Sequence, residues 1–555
     1  MKIILLLFCF CNLILIANSQ NNEIVTVKAV DFSDPSPEGW NAQYKKTVDF
    51  PDDNIQWAKI IVKQTLKCDE ATKADTFPCG EWDYIWHAII LEPKGDSTEK
   101  FCLYSFVTPY GKRLKLGDNN EWTWFYDVTD YAPILKGTKE IIAGNNQELL
   151  DLEFYFYPGT PVRNVISIEN IYPHGTYKYQ YLAEDSVLKK KKIFLNPEAN
   201  SYKLKARISG HGHAGPRNCC EWDSKTHTYY INDEDRFRWN VWKDCSFNPI
   251  YPQGGTWPFD RAGWCPGTFV DDYEFNLTPL VHPGDTIDFD YGIEFYSDNG
   301  EKDGEFQMTH QLVSYGPPNF YNDASITDII KPTDKDKYAR LNPACGNPEI
   351  IIQNTGKNNL KSLKIEYGLI SGKKSIYEFH GNLKFLEKQC IVLPVPDWST
   401  QEINNTFIVK IIETNGQKDE NDFNNTLTSK ADIPIVLPNK FIIHVKTNDN
   451  NRACENSCII SDSDGKVYYY FDNYKDSTEY YHDIILNPGC YTFQFTDNRE
   501  DGIMLHWWYY NTDKKLMGIS GKVDILSADK KEILYSFPSD FGQELQLNFI
   551  IKDNK

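Results

Sequence analysis

Beyond its first sixteen residues, the sequence has no apolar run that approaches the ~20 residues of a membrane-spanning helix. It also has a shortage of positive charge. The 58 Lys and Arg residues stand against 78 Asp and Glu, which gives a formal net charge of −20, and they form no basic patch. These absences argue against an internal membrane span and against nucleic acid or anionic membranes as partners.

Helical periodicity is nearly absent as well. Segments such as 59–66, 84–91 and 286–296 are rich in β-branched and aromatic residues and alternate apolar with polar positions. Gly, Pro, Asn and Asp interrupt them at short intervals, which is typical of antiparallel sandwiches and not of βαβ units. One short helix is expected at 131–139, after the capping stretch 127–130. The sequence therefore predicts an all-β protein.

The N-terminus has the layout of a secretory signal peptide. A basic residue, an apolar stretch that ends at Ile16 and three small or polar residues predict cleavage after Ser19. Cleavage removes two of the fourteen cysteines and leaves twelve, an even number that fits disulfides in an oxidising compartment. We therefore expect a protein that is secreted or resident in the secretory or lysosomal pathway. The sequons at Asn276, Asn404 and Asn424 would make it a glycoprotein in a eukaryotic source.

Changes in composition divide the chain into a signal peptide and four units. A Pro- and Lys-rich linker follows the second unit, and the composition and residue pattern change after Cys345. The third unit is expected to be an immunoglobulin-like module. The fourth is expected to be another β-sandwich and a possible binding module. The predicted limits are 1–19, 20–180, 181–330, 338–436 and 437–555.

Three short clusters place tryptophan beside cysteine and charge. They read Cys-Gly-Glu-Trp-Asp at 79–83, Cys-Cys-Glu-Trp-Asp at 219–223 and Asp-Arg-Ala-Gly-Trp-Cys-Pro-Gly at 260–267. An aromatic ring can stack on a sugar, and a carboxylate in a partly dry pocket can carry protons. Simpler interpretations of the same residues stay open: a turn acid after a disulfide, a surface ion pair, an Arg261–Asp260 pair, and tryptophans that only fill a core.

In their order and spacing, these clusters resemble the peptide-N-glycosidase F family. Further matching segments are Ile-Ser-Gly-His-Gly-His-Ala, Lys-Thr-His-Thr and Cys-Ser-Phe-Asn-Pro, at 208–214, 225–228 and 245–249. The resemblance covers about residues 25–320. It implies two adjacent antiparallel jelly-roll sandwiches with a site at their interface. The expected fold is therefore two jelly rolls followed by an immunoglobulin-like module and a C-terminal β-sandwich.

The resemblance also implies a reaction. The expected activity is hydrolysis of the amide between N-acetylglucosamine and asparagine, which releases the glycan as a glycosylamine and leaves aspartate. The reaction needs no metal and no cofactor. The expected partners are N-linked glycoproteins or glycopeptides, and a monomer is expected.

Each site residue is carried over from the family by position. Asp83 matches the catalytic acid/base, Glu221 a second acid and Arg261 a substrate-side arginine. Trp264 is the preferred sugar-stacking ring. The other expected substrate-binding positions are Trp82, Trp222, His211 and Asn145, of which the last two stand where the family has a tryptophan and a third acid.

The resemblance further implies the disulfides Cys68–Cys79 and Cys245–Cys265. The family's third small bridge has no partner here, so Cys219 or Cys220 is expected to reach Cys102. For the cysteines that remain, one bridge between domains and two free thiols are both open.

Two other functions stay open. The missing third acid at Asn145 would suit an inactive glycan-binding or adhesion protein on the same fold. The pair His211 and His213, with His227 or His310 as a third ligand, would suit a copper-dependent monooxygenase. The acidic loops 462–465 and 497–502 resemble Ca²⁺ loops but do not complete the twelve-residue pattern, and turn chemistry explains them.

Overall fold

The structure is a computed structural model that describes residues 23–52, 55–71, 77–213, 217, 219–295, 304–504 and 518–552. The predicted signal peptide lies outside the described residues. Strands dominate the described chain, and they pair antiparallel with one exception among the described pairs. The predicted all-β class is confirmed. None of the described helices is long and apolar enough to cross a membrane.

The first eight strands form a jelly roll. One sheet has the strand order β1-β8-β3-β6, and the facing sheet contains the order β5-β4-β7-β2, which is the pattern of two Greek keys. The alternating burial along β8 places Phe154 and Phe156 in the core between the sheets. The strands are β1 (Val25–Val30), β2 (Tyr44–Phe50), β3 (Trp57–Cys68), β4 (Ile85–Lys94), β5 (Ser97–Val107), β6 (Glu121–Asp127), β7 (Gly137–Ala143) and β8 (Glu148–Pro158).

The next strands repeat the same topology. The sheets β15-β11-β17-β9 and β10-β16-β12-β13 enclose a second core. The short strand β14 leaves this unit and pairs with β5 of the first jelly roll, so the two units share a sheet. The elements are β9 (Arg163–Lys178), α1 (Tyr179–Ala183), β10 (Lys191–Phe194), β11 (Ser201–His211), β12 (Lys225–Ile231), β13 (Glu234–Val241), β14 (Thr268–Phe269), β15 (Asp272–Asn276), β16 (Thr286–Ile293) and β17 (Glu305–Pro318).

Seven strands form a third sandwich with sheets β18-β19-β22 and β21-β20-β23-β24. This count suits an immunoglobulin-like module, with the fourth strand placed in the second sheet. Because β18 pairs with β19, we propose to move the limit between the second and third units to about residue 320. The strands are β18 (Ala324–Lys331), β19 (Glu349–Asn354), β20 (Leu360–Leu369), β21 (Ser375–Leu383), β22 (Lys388–Val392), β23 (Thr406–Thr414) and β24 (Thr426–Lys430).

The last nine strands form a fourth sandwich with sheets β25-β33-β30-β27-β28 and β29-β26-β31-β32. The pair β25–β33 is parallel. The strands are β25 (Ile435–Leu437), β26 (Lys440–Lys446), β27 (Asn456–Asp462), β28 (Val467–Phe471), β29 (Glu479–Ile485), β30 (Gly489–Asp497), β31 (Lys522–Ser527), β32 (Ile533–Ser536) and β33 (Glu544–Ile551).

The fourth sandwich packs against the jelly rolls. Asp540 accepts a hydrogen bond from Trp257 Nε1 at 3.0 Å and pairs with Arg113 at 2.5 Å. Arg340 donates to the carbonyls of Asn248 and Phe541 at 2.8 and 2.9 Å. A disulfide joins Cys345 to Cys490, 145 residues further along the chain. These contacts fix the C-terminal sandwich to loop 245–257.

The helix expected at 131–139 is wrong. The structure has a 3-10 turn at Thr129–Tyr131, followed by strand β7. Ala132 still has right-handed helical φ and ψ, so the helical turn extends as far as the residue before Pro133. Gly137 has a φ of +61°, which ends the turn, and the residues after it include the β-branched Thr138, Ile141 and Ile142. The other described 3-10 turns are Thr278–Leu280, Asp336–Leu341 and Ala453–Glu455.

Candidate active site at the junction of the jelly rolls

Asp83 lies in a braced turn directly before β4. The disulfide Cys68–Cys79 ties this turn to the end of β3. The buried side chain of Gln147 accepts hydrogen bonds from the backbone N–H groups of Glu81 and Trp82, both at 3.0 Å. Gly80 has a φ of +79°, and a Cβ there would lie 2.7 Å from the Gln147 side chain. The backbone that leads to Asp83 is therefore held from two sides.

Three charged residues, Asp83, Glu221 and Arg261, interact where the two jelly rolls meet, and the place they share is called the recess below. Burial raises the pKa of Asp83 to about 6, the positive charge of Arg261 opposes that rise, and the negative charge of Glu221 adds to it. Burial also raises the pKa of the Glu221 carboxyl, against the opposing effect of Arg261. Asp83 belongs to the first jelly roll, whereas the other two residues belong to the second. The structure thus brings together the three charged residues that the sequence analysis selected.

Arg261 is fully buried, and its hydrogen-bond donors are matched within the protein. Nε donates to Glu221 Oε1 at 3.2 Å. The two Nη groups donate to the carbonyls of Trp257 and Phe259 and to the carbonyl and hydroxyl of Thr256. Five hydrogen bonds therefore meet the five N–H groups of a guanidinium. Arg261 pairs with Glu221 and not with Asp260, whose carboxylate accepts from Trp242 Nε1 and Cys245 N.

Glu221 is placed by the backbone on both sides of its loop. Its N–H donates to the carbonyl of Gly212 at 2.9 Å, and its carbonyl accepts from Ala262 N at 3.0 Å. The preceding residues Cys219 and Cys220 form a disulfide with each other. The loop that carries the second acid is thus connected to both the β11 end and the Arg261 loop.

The expectation that Trp264 stacks on a sugar is wrong for this arrangement, since its side chain is only 3% exposed. The ring stacks on His211 at 5.3 Å between centroids, and its Nε1 donates to Gly210 O. The guanidinium of Arg261 lies 4.9 Å from the Trp264 ring and 4.4 Å from the Trp222 ring. These tryptophans enclose the arginine, and His211 is half-buried against Trp264.

The exposed aromatic rings beside Asp83 are those of Trp82 and Trp40. Trp82 is 57% exposed, and its expected contact with substrate stays a prediction. Trp40, in the loop between β1 and β2, is 80% exposed and meets Tyr84 edge-to-face at 5.5 Å. The sequence analysis missed Trp40 because it stands alone in a polar loop without any motif.

Tyr110 is a second residue that the sequence analysis missed. It is buried beside the recess, and its pKa is raised by burial and by the negative charge of Asp83. A Cβ on Gly255 would lie 2.3 Å from the Tyr110 hydroxyl, so the glycine leaves room for the ring. Tyr110 reaches loop 253–256 only through the tertiary structure, so no local sequence pattern predicts its place beside the recess.

Asn145 does not line the recess, contrary to expectation. It is 2% exposed, and its Oδ1 accepts from the backbone N–H of Gln147 at 2.9 Å. Gln147 in turn contacts Thr108 Oγ1 at 3.2 Å. Asn145, which stands where the family has an acid, therefore supports the Asp83 turn through Gln147.

Both disulfides that the resemblance implied, Cys68–Cys79 and Cys245–Cys265, are present. The bridge from Cys219 or Cys220 to Cys102 is wrong, since the first two are bonded to each other and Cys102 is a buried free thiol. Because Cys219 and Cys220 are bonded to each other, neither is available to Cys102. The bridge Cys345–Cys490 joins the third unit to the fourth, and the other free thiols among the described residues are Cys390, Cys454 and Cys458.

The histidines considered for copper do not assemble. His211 contacts Ser209 Oγ at 2.8 Å, and His227 contacts the Tyr291 hydroxyl at 2.7 Å. His310 contacts the Tyr229 hydroxyl at 2.6 Å. Among the described residues, none of the three groups with metal-ligand spacing contains His211 or His213.

Other histidines do meet at the junction. His87 on β4 and His174 on β9 lie with ring centroids 3.9 Å apart. Burial lowers the pKa of each to about 4. Both rings are therefore uncharged at neutral pH.

Comparison with known proteins supports the resemblance seen in the sequence. Residues 178–313 match the family model described as peptide-N-glycosidase F, C terminal. The chain is 28% identical over 321 residues to peptide-N(4)-(N-acetyl-beta-D-glucosaminyl)asparagine amidase F of Elizabethkingia miricola, which covers 53% of this chain and 85% of the relative. The predicted resemblance to the peptide-N-glycosidase F family is confirmed.

Solved structures give matches over the same share of the chain. The crystal structure of a peptide-N(4)-(N-acetyl-beta-D-glucosaminyl)asparagine amidase matches with a TM-score of 0.44 and 24% identity, over 53% of this chain and 96% of that one. The structure of PNGase F, a glycosylasparaginase from Flavobacterium meningosepticum, matches with the same TM-score, 26% identity and the same coverage.

Proposed function

We propose that this chain is a secreted amidase that hydrolyses the bond between N-acetylglucosamine and asparagine in N-glycoproteins or glycopeptides. The observation that carries the proposal is the meeting of Asp83, Glu221 and Arg261 in one recess between two jelly rolls. Similarity to an amidase of that specificity supports the same chemistry. The glycan leaves as a glycosylamine, and the asparagine becomes aspartate.

In this mechanism Asp83 transfers protons. With a pKa of about 6, the carboxyl can take a proton from water as it attacks the amide carbon and return it to the departing nitrogen. Water adds OH to the carbon, and the nitrogen leaves with the proton, so the atoms balance. Glu221 lies across the recess and can hold the sugar or the attacking water.

Arg261 acts as a positioning residue. Its five N–H groups bond Glu221 and loop 256–259 and are thus all engaged within the protein. Its charge limits the rise in the pKa of Asp83 and so keeps that carboxyl able to ionise near neutral pH. Trp222 and Trp264 hold the guanidinium between them.

Substrate contact is assigned to the exposed rings at the rim. Trp82 and Trp40 present apolar faces beside the Asp83 turn, and such faces suit stacking on a pyranose. Secretion, a monomeric state and a binding role for the C-terminal units are parts of the same proposal.

The test is release of glycan from a fluorescent N-glycopeptide. Wild type is expected to release the glycan and to leave a peptide about one mass unit heavier than the asparagine form, because aspartate replaces asparagine. Asp83→Asn is expected to lose about 10²–10⁴-fold of the rate, the usual contribution of a general acid/base. Glu221→Gln is expected to be impaired as well.

The matched control is Asp96→Asn, at an exposed turn beyond the far end of β4, which is expected to keep full activity. An unimpaired Asp83→Asn enzyme would contradict the assignment. The second candidate is an inactive glycan-binding protein, and the burial of Asn145 where the family has an acid favours it. Glycan binding by wild type without release would establish that candidate and overturn the amidase.

A further inference from the structure

Besides Asp83, Glu221 and Arg261, the junction of the two jelly rolls holds a separate group of side chains whose atoms can bind a metal ion. It comprises His87 on β4, Cys102 on β5 and His174 on β9. One nitrogen of each ring and the thiol lie within 4.8 Å of one another. The first two residues belong to the first jelly roll, and the third belongs to the second.

Hydrogen bonds orient both rings. His87 Nε2 lies 2.9 Å from Gln307 Oε1, an amide oxygen that only accepts, so this nitrogen carries the proton and Nδ1 keeps its lone pair. His174 Nδ1 lies 3.3 Å from Thr309 Oγ1. A ligating histidine usually donates its other ring N–H to such a partner, and here both partners come from β17.

Ser105 lies beside both His87 and the thiol, which also donates to the Tyr104 carbonyl at 3.5 Å. Ser105 Oγ lies 2.8 Å from His87 Nδ1 and 3.7 Å from Cys102 Sγ. The serine hydroxyl, or a water in its place, could complete a four-coordinate site. The thiol is fully buried and makes no disulfide.

The local charge permits a cation. Arg207 Nη1 lies 3.6 Å from Cys102 Sγ, but Arg207 Nη2 pairs with Asp272 at 2.7 Å, which offsets the positive charge. A divalent ion with a thiolate would therefore add only one net positive charge to a polar interface.

We propose that His87, Cys102 and His174 bind a structural Zn²⁺ ion that joins the two jelly rolls. Two imidazoles and one thiolate form the borderline-soft donor set that this ion prefers. Binding replaces the thiol proton, which passes to solvent, and forms the zinc–sulfur bond. The ion takes no part in amide hydrolysis, so the proposal stands independently of the amidase assignment.

The test uses the full secreted chain, freed of metal with a chelator and titrated with Zn²⁺ and with Co²⁺ as a coloured probe. One equivalent of zinc per chain is expected by elemental mass spectrometry. Bound cobalt should show a thiolate-to-metal charge-transfer band, and zinc should raise the unfolding midpoint of wild type.

Variants separate this site from adventitious binding. Cys102→Ser is expected to lose the charge-transfer band, whereas Cys390→Ser, at an exposed thiol on β22, should keep it. Gln307→Leu, which keeps all three ligands, is expected to weaken zinc binding about 10–100-fold. If Cys102→Ser does not fold, wild type and Gln307→Leu still decide the question. Wild type without a stoichiometric ion, or a Cys102→Ser band equal to that of wild type, would overturn the proposal.

Discussion

At the scale of single residues, Asp83 shows how a reactive group weakens the fold around it. A carboxyl whose pKa is higher in the folded than in the unfolded chain stabilises the fold when it is protonated. For Asp83 this contribution is fully present below its ordinary value of 3.8 and is lost as the pH rises through about 6. At neutral pH the ionised group therefore opposes folding.

We expect Asp83→Asn to raise the free energy of unfolding of the jelly-roll pair at pH 7.5 by about 1–2 kcal/mol. One pKa unit corresponds to about 1.4 kcal/mol, and the partial exposure of Asp83 reduces the full effect. Calorimetry at several pH values should show the gain shrinking towards pH 4, where wild type is protonated as well. A gain that does not depend on pH, or that Asp96→Asn shares, would contradict this account.

Which residues could be predicted depends on where their signal lies. Asp83, Glu221 and Arg261 stand in short contiguous motifs, so a resemblance located them before any fold was known. Trp40 and Tyr110 come to the recess only through tertiary structure. Trp264 was found, but its role was wrong, because burial of its ring could not be inferred from its neighbours in sequence.

At the scale of elements, the Asp83 turn depends on a buried amide just before β8. Gln147 accepts from two backbone N–H groups of the turn and also contacts Thr108. This one side chain replaces the hydrogen bonds that a regular strand would give the turn. The geometry of Asp83 is therefore sensitive to a residue that need not touch substrate.

We expect Gln147→Leu to lower kcat by about 10–100-fold, since small misplacements of a reacting group have effects of that size. Stability should fall by about 1–3 kcal/mol, because the part-buried backbone N–H groups of Glu81 and Trp82 lose their acceptor. Gln147→Glu keeps that acceptor and loses the amide donor, so it should fall between wild type and Gln147→Leu in glycopeptide kinetics and thermal unfolding. Equal losses for the two variants would show that the acceptor does not matter.

Strands were the most predictable elements. Apolar and polar residues alternate along β3, β8 and β16, which predicts that each strand buries one face. The burial of these strands in the structure largely agrees. The helix expected at 131–139 failed because Gly137 has a positive φ, which a short apolar pattern does not reveal. Sheet order is a property of long-range pairing, and only the family resemblance implied jelly rolls.

At the scale of the whole molecule, the C-terminal sandwich is connected to the recess through loop 245–261. Asp540 bonds Trp257, whose carbonyl accepts from Arg261. Sequence alone suggested only a possible binding module here, since no motif marks the contact. The packing implies that this sandwich supports the loop that carries Arg261.

We expect Asp540→Ala to lower kcat/KM several-fold and to destabilise the docked C-terminal sandwich by about 1–3 kcal/mol. The change leaves the buried Trp257 N–H without its acceptor and removes the ionic partner of Arg113. Glycopeptide kinetics and limited proteolysis measure the two effects. Asp464→Ala, at an exposed turn of the same sandwich, is the control. Unchanged kinetics for Asp540→Ala would show that the C-terminal sandwich does not influence catalysis.

The disulfide between Cys345 and Cys490 closes a covalent ring around most of the third sandwich. A protease that cuts the chain once anywhere between these cysteines converts the ring into two pieces that stay joined. The nicked molecule would keep its mass until a reductant is added, and the C-terminal sandwich would keep its place beside loop 245–257. A single cut within this ring therefore leaves the covalent connection between the C-terminal sandwich and the rest of the chain intact.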